Sequence, residues 1–139
     1  MIEVRSYSEP DFPRIKELWE EVFPGDPPWN RAEVAIPAKL EVHPELFLVA
    51  TNDGQPIGTV LAGYDGHRGW LYAAAVSPRH RRKGVGAALV REAERRLRAL
   101  GCGKLNLQVR ATNDAVVGFY RALGYDVEER VSMGKRLTN

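Results

Sequence analysis

Seven consecutive residues concentrate the features that could hold a ligand: Arg81, Arg82, Lys83, Gly84, Val85, Gly86 and Ala87. They follow an apolar run over 70–76 and Ser77-Pro78, and they open an amphipathic segment over 87–100. The order is strand, glycine loop, helix. Such a loop brings unpaired backbone N–H groups and the positive end of a helix dipole to one point, an arrangement that suits a phosphate or pyrophosphate. Gly84 and Gly86 carry no Cβ to shield those N–H groups from a ligand. The loop is neither a dinucleotide-binding G-x-G-x-x-G nor a Walker G-K-[ST]. Two other readings of the same residues are a solvated basic surface loop and a contact for nucleic acid. The second is weakened by Glu92 and Glu94, which interrupt the arginines of the following helix and leave no continuous basic face.

The elements that must position this loop follow from periodicity and turn chemistry. Residues 2–7 alternate as a half-buried strand, and Ser8, Pro10 and Asp11 start a helix whose buried face is Phe12, Ile15, Leu18, Trp19 and Val22. A proline-rich loop over 23–28 ends it. Residues 30–42 read as a second helix, with Asn30 and Glu33 at capping-box spacing and Pro37 predicting a break or a late start. Apolar strands over 46–51 and 57–64 flank Asn52-Asp53-Gly54, a strong hairpin signal, and the turn over 65–69 leads into strand 70–76, so three strands form a meander. Val85, Leu89, Ala93, Leu97 and Leu100 mark the buried face of the helix after the loop, and Gly101 stops it. Leu105, Leu107 and Val109 form a strand that the helical crossover makes parallel to 70–76. Asn113 caps a fourth helix, and 125–137 alternates as one or two closing strands.

Composition bounds the rest. The 139 residues suit a single domain over 1–139 with a core of its own. A net charge of +2 argues against a general polyanion binder. One cysteine, Cys102, and no Cys/His cluster at zinc spacing point to a reducing compartment and no structural metal. With no run of about 18 apolar residues, no membrane partner is expected, and the expected location is the cytoplasm.

Val76-Ser77-Pro78 followed by Arg81 to Leu89 resembles the acetyl-CoA signature of the GCN5-related N-acetyltransferases, R-x-x-G-x-G after V-x-P. Asn113-Asp114-Ala115, Phe119-Tyr120 and Gly124-Tyr125 resemble that family's later motif. The resemblance covers essentially the whole chain, and its central part is similar to a bacterial subgroup. It implies an α/β fold: a mixed, mostly antiparallel sheet of six to seven strands, with a splayed central parallel pair and about four flanking helices. It also implies acetyl-CoA as co-substrate and a primary amine as acceptor, with direct transfer in a ternary complex and a monomer or homodimer. The backbone from Arg82 to Ala87 would hold the pyrophosphate, aided by the charges of Arg81, Arg82 and Lys83. Ala74, Ala75 and Val76 would pair with pantetheine, and an N–H near Ala74 or Ala75 would polarise the carbonyl. Asn113 would bond the CoA chain besides capping its helix, and Tyr120 would protonate the departing sulfur. Cys102, beside Gly101, is poorly placed as an acyl carrier.

Residues 108–113 resemble enzymes that acetylate the N-terminal alanine of a ribosomal protein, but those carry Glu where this chain has Gln108. Gln accepts no proton, which leaves Asp65, His67, Tyr72, Glu33 or an ordered water as base. Trp29 reads either as core or as part of an acceptor pocket, and Phe119 as core. A rival reading from another class is a non-catalytic acyl-CoA-binding module that keeps the loop alone.

Overall fold

The computed structural model describes residues 1–138. The chain divides into two compact units, the first Met1–Gln108 and the second beginning at Val109. The first holds β1 (Ile2–Ser6), α1 (Phe12–Val22), α2 (Ala32–Leu40), β2 (Phe47–Asn52), β3 (Gln55–Tyr64), β4 (Gly69–Val76), α3 (Val85–Ala99) and β5 (Leu105–Leu107). The second holds α4 (Asp114–Ala122) and irregular chain. The sheet runs in the order β1-β2-β3-β4-β5, antiparallel except for the parallel pair β4 and β5. No helix among the described residues is long and apolar enough to cross a membrane.

Both faces of the sheet are covered. Strand β2 is buried along nearly its whole length, which explains its uninterrupted apolar sequence. On one face Ile15, Leu18 and Trp19 of α1 and Ala32 and Ile36 of α2 pack with Phe47, Val49, Leu61 and Ala75. On the other lies α3, which buries Val85, Leu89, Val90, Ala93 and Leu97. It approaches β3 closely at Gly58, where a Cβ would sit 3.0 Å from the Ala75 carbonyl oxygen, 3.1 Å from Leu89 Cδ1 and 3.2 Å from Val85 Cγ1. Glycine is thus what lets the first turn of α3 rest on the sheet. The β2–β3 hairpin closes through Asp53 and Gly54, both at positive φ, as the Asn-Asp-Gly signal requires.

Four expectations change. Pro37 lies inside α2 and neither breaks nor begins it. Glu33 and Pro37, four residues apart, are both exposed, so the carbonyl left without a helical N–H lies on the side open to solvent, while Ala32 and Ile36 anchor the opposite side. Asn30 does not cap that helix; Arg31 occupies the cap position and uses no side-chain bond. The sheet has five strands among the described residues rather than six or seven, because 125–137 forms no strand. Val127, Val131, Met133 and Leu137 there are largely exposed, and Arg130 N–H donates to Glu128 O within the segment instead of to a ladder. Strand β5 is therefore the outer strand of the described sheet, and the parallel pair is not central.

Strand β4 is irregular where it matters most. Leu61 pairs with Tyr72 and Thr59 with Ala75, so two residues, Ala73 and Ala74, stand opposite Val60 alone. This bulge holds Ala73 at φ +49, a left-handed conformation that costs an L-residue about 1–2 kcal/mol. The parallel ladder with β5 meanwhile comprises only Gly69↔Leu105, Trp70↔Asn106 and Leu71↔Leu107. From Tyr72 to Val76 the same edge of β4 has no strand beside it among the described residues. That is where the expected gap between the parallel strands opens.

Candidate active site

The open edge of β4 leads directly into the basic loop. Ala74 is exposed and small, so a ligand can approach its main chain. Which backbone groups face the gap follows from the ladder. Ser77 N–H donates to Ile57 O at 2.8 Å, and antiparallel alternation puts Ala75, two residues earlier, in the same phase toward β3. Ala74 and Val76 therefore turn their N–H groups to the open edge.

The bulge gives a second, independent reason for the same orientation. The Thr59 hydroxyl donates to the Ala73 carbonyl at 2.9 Å. The Ala73–Ala74 peptide is trans, so the Ala73 C=O and the Ala74 N–H point in opposite directions. Anchoring the carbonyl on β3 turns the N–H outward. Thr59 in turn accepts from the Trp19 indole N–H at 2.9 Å, with Thr59 fully buried and Trp19 nearly so.

Beyond Val76 the chain turns through residues 78–80, and Arg82 and Gly84 both take positive φ before α3 begins. Gly84 is the N-cap of α3 and supplies no side-chain bond. The first-turn N–H groups of Val85, Gly86 and Ala87 are thus left for a ligand. Arg81, Arg82 and Lys83 are exposed and make no ion pair among the described residues, whereas Arg79 reaches Glu21 at 3.8 Å. Farther along α3, Glu92 binds Arg95 and also Arg96, at 2.8 Å, and Arg96 bonds Ser6 Oγ and Glu45 O. Those hydrogen bonds pull the Glu92 carboxyl down to about 2 and tie the helix that carries the loop to the start of the sheet.

The base candidates fare unequally. Asp65 and His67 sit in the β3–β4 turn at the opposite end of β4 from Ala74. Gly69 and Ala74 are five residues apart, about 16 Å at the rise of a strand. Asp65 Oδ1 accepts from Arg68 N–H at 2.7 Å and His67 N–H at 2.8 Å, and these bonds hold its carboxyl below the usual range. Tyr72 is closer to Ala74 along the strand and half exposed. A Cβ on Gly63 would meet its hydroxyl at 2.8 Å, so its ring leans toward the turn and away from Ala74. Burial and then Asp65 push the Tyr72 phenol up, which disfavours the phenolate. Glu33 is exposed on α2 beside Lys16, at 3.9 Å. Cys102 packs against Gly69, at the far end of β4, with its thiol donating to Lys104 O. Trp29 is 45 % exposed, which excludes the core reading.

In the second unit, Asn113 caps α4, its Oδ1 accepting from Val116 N–H at 3.3 Å. Tyr120 is 7 % exposed and meets Phe119 and Tyr125 edge-on, at centroid distances of 4.9 and 5.5 Å. Burial raises its phenol, which therefore stays protonated at neutral pH. Phe119 is 36 % exposed rather than core. The residues that sequence reasoning missed are Trp19, read only as an apolar helix position, and Thr59, inside an apolar run. A hydroxyl within an otherwise aliphatic buried strand was the one available signal.

Known proteins resemble this chain in sequence and in fold. Residues 12–125 match the model of the acetyltransferase (GNAT) family. An acetyltransferase of Yersinia pestis (strain Pestoides F) is 44% identical over 136 residues, covering 98% of this chain and 96% of that protein. The ribosomal-protein-S18-alanine N-acetyltransferase of Escherichia coli superposes with a TM-score of 0.73 at 25% identity, covering 89% of this chain and 77% of that one. AAC(6')-Iy, in complex with the bisubstrate analogue CoA-S-monomethyl-acetylneamine, superposes with a TM-score of 0.82 at 20% identity, covering 99% of each chain.

Proposed function

The chain belongs to the acetyltransferase (GNAT) family and is an acyltransferase, and from that premise we propose that it carries acetyl from acetyl-CoA directly to a primary amine. The observation that carries this reading is the unpaired edge of β4 running into a helix whose first turn is uncapped. Acetyl-CoA has the chemistry those groups call for: amides for a strand edge and a pyrophosphate for a helix N-terminus. The Ala74 and Val76 main chain would hold the pantetheine amides as an added strand would be held. The N–H groups from Arg82 to Ala87 would take the pyrophosphate, with Arg81, Arg82 and Lys83 supplying unpaired positive charge around it. Ala75 has its main chain committed to β3 and its side chain in the core, so Ala74 and Val76 carry this contact. Asn113, with Oδ1 engaged in its cap, has its amide N–H groups left for the CoA chain.

When bound, acetyl-CoA supplies a thioester: the amine nitrogen forms a bond to the carbonyl carbon, the C–S bond breaks, and the sulfur takes a proton. Ala74 N–H faces the place where charge develops on the carbonyl oxygen, and a fixed donor there is worth several kcal/mol in such reactions, about 3–4 by removal. Tyr120 holds the proton for the sulfur. The amine's own proton goes to solvent rather than to Asp65 or His67, which stand far from Ala74, or to Tyr72, which is not ionised. Release to water meets that need without an ionised side chain, which fits Gln108 where the ribosomal-protein enzymes it resembles carry Glu. The position of Cys102 supports transfer without an acyl-cysteine.

Calorimetry with acetyl-CoA, followed by thiol detection with a panel of primary amines, tests the proposal. Saturable binding and amine-dependent thiol release are expected. Absence of binding at millimolar acetyl-CoA would refute it, and binding without release to any amine would leave only the acyl-CoA-binding module.

A further inference from the structure

We propose that Trp19 and Thr59 are positioning residues for acyl transfer: their buried relay fixes the Ala73–Ala74 peptide so that the Ala74 N–H points at the acyl carbonyl oxygen. The inference rests on the acetyl-CoA reading above and adds to it the device that aims the donor.

The direction of the relay is forced by chemistry. An indole N–H donates and never accepts, so at 2.9 Å from Trp19 Nε1 the Thr59 oxygen must be the acceptor. Its one proton is then committed elsewhere, and the Ala73 carbonyl lies 2.9 Å away to receive it. With Thr59 fully buried, water cannot substitute for either partner. The Ala73 carbonyl is thus held on the side of β3 and α1, and the trans peptide sends the Ala74 N–H to the opposite side, into the gap. The strained φ of +49 at Ala73 marks a backbone that relaxes to other conformations when released. Neither side chain faces the gap. Their effect on the reaction passes wholly through one peptide plane.

Thr59→Val keeps the side-chain shape and removes the hydroxyl, while Thr59→Ser restores it. The probe is acetyl-CoA isotope-labelled at its acyl carbonyl, bound to the full chain and read by difference infrared spectroscopy, alongside calorimetry with desacetyl-CoA. In the wild type the bound carbonyl band should move to lower frequency than in free acetyl-CoA. Thr59→Val should lose that shift, Thr59→Ser should keep it, and all three should bind desacetyl-CoA alike. A purely structural role would weaken desacetyl-CoA binding and leave the band of the bound fraction where it was. Should Thr59→Val not fold, Trp19→Phe carries the test, because it frees the hydroxyl to turn away and should reduce the shift. A folded Thr59→Val or Trp19→Phe protein with the wild-type band overturns the proposal, as does a wild type that binds acetyl-CoA without any shift. A wild type that does not bind acetyl-CoA overturns instead the reading on which it rests.

Discussion

Replacing Gly58 by alanine tests how α3 and its loop are seated on the sheet. The added Cβ would stand 3.0 Å from a backbone oxygen on β4 and 3.1 and 3.2 Å from Leu89 and Val85. The side chains can give way by a few tenths of an ångström, but the Ala75 carbonyl belongs to a paired strand, so the strain falls on α3. Overpacking of this kind costs about 1–3 kcal/mol. Fewer unfolded conformations return about 0.4–1 kcal/mol to any Gly→Ala change. The net for Gly58→Ala is a loss of about 0.5–2 kcal/mol. Gly103 is the matched control, because nothing lies within 4 Å of a Cβ there and its φ is not positive. Gly103→Ala should gain the entropic term alone. The two variants should differ by about 1–3 kcal/mol in urea unfolding at equal slope, or roughly 3–10 °C in melting temperature for a chain of this size. Because Val85 begins the helix that follows the loop, Gly58→Ala should also weaken acetyl-CoA binding, and Gly103→Ala should not. Equal stability of the two variants would refute the close seating of α3.

Three further outcomes follow from the site. Tyr120→Phe should slow turnover by about 10²-fold or more while leaving CoA affinity unchanged in calorimetry, and an unchanged rate would remove Tyr120 from the acid role. Changing Arg81, Arg82 and Lys83 together to glutamine should weaken acetyl-CoA binding by roughly 10–100-fold and flatten its salt dependence, which titration at several ionic strengths would detect. Acid should destabilise the protein through Glu92 and Asp11. Burial alone would raise the Asp11 carboxyl, but the Arg5 fork at 2.7 and 2.8 Å and the Ser8 N–H hold it lowered, and Glu92 stands at about 2. Both groups are lower when folded than unfolded, so their contribution is complete above about pH 4.5 and drains away as pH falls toward 2. Melting temperatures measured from neutral pH to pH 3 should therefore fall less steeply for Glu92→Gln than for the wild type.

What could be read beforehand was what local chemistry dictates. Asn52-Asp53-Gly54 made its hairpin because only that turn suits its residues. The glycine loop made its helix start because Gly84 takes the left-handed φ there. Residues whose roles depend on a partner far along the chain stayed hidden. Trp19 and Thr59 are 40 positions apart, and each reads as a core residue until the fold joins them by a hydrogen bond. The bulge itself had no signature, since Ala73 bears a positive φ that a sequence usually announces with glycine. Pro37 and the residues over 125–137 misled for the complementary reason: a local rule was applied where solvent exposure or the absence of a ladder decided the outcome. His67 and Asp65 looked suitable as bases by residue type, and only the length of β4 shows how far they stand from Ala74.

The extra residue in β4 also changes the strand's parity. Before it, Leu71 and Gly69 face α3; after it, Ala75 faces α1 although its number is odd like theirs. The strand is two ladders spliced half a step out of phase, and Ser77, Pro78 and the whole basic loop inherit the second phase. Deleting any one of the three alanines would remove no side chain that touches a ligand. It would nonetheless leave one residue opposite Val60, a regular ladder in which everything downstream keeps its face but the turned Ala73–Ala74 peptide is gone. The length of that alanine run is therefore under a tighter constraint than its composition.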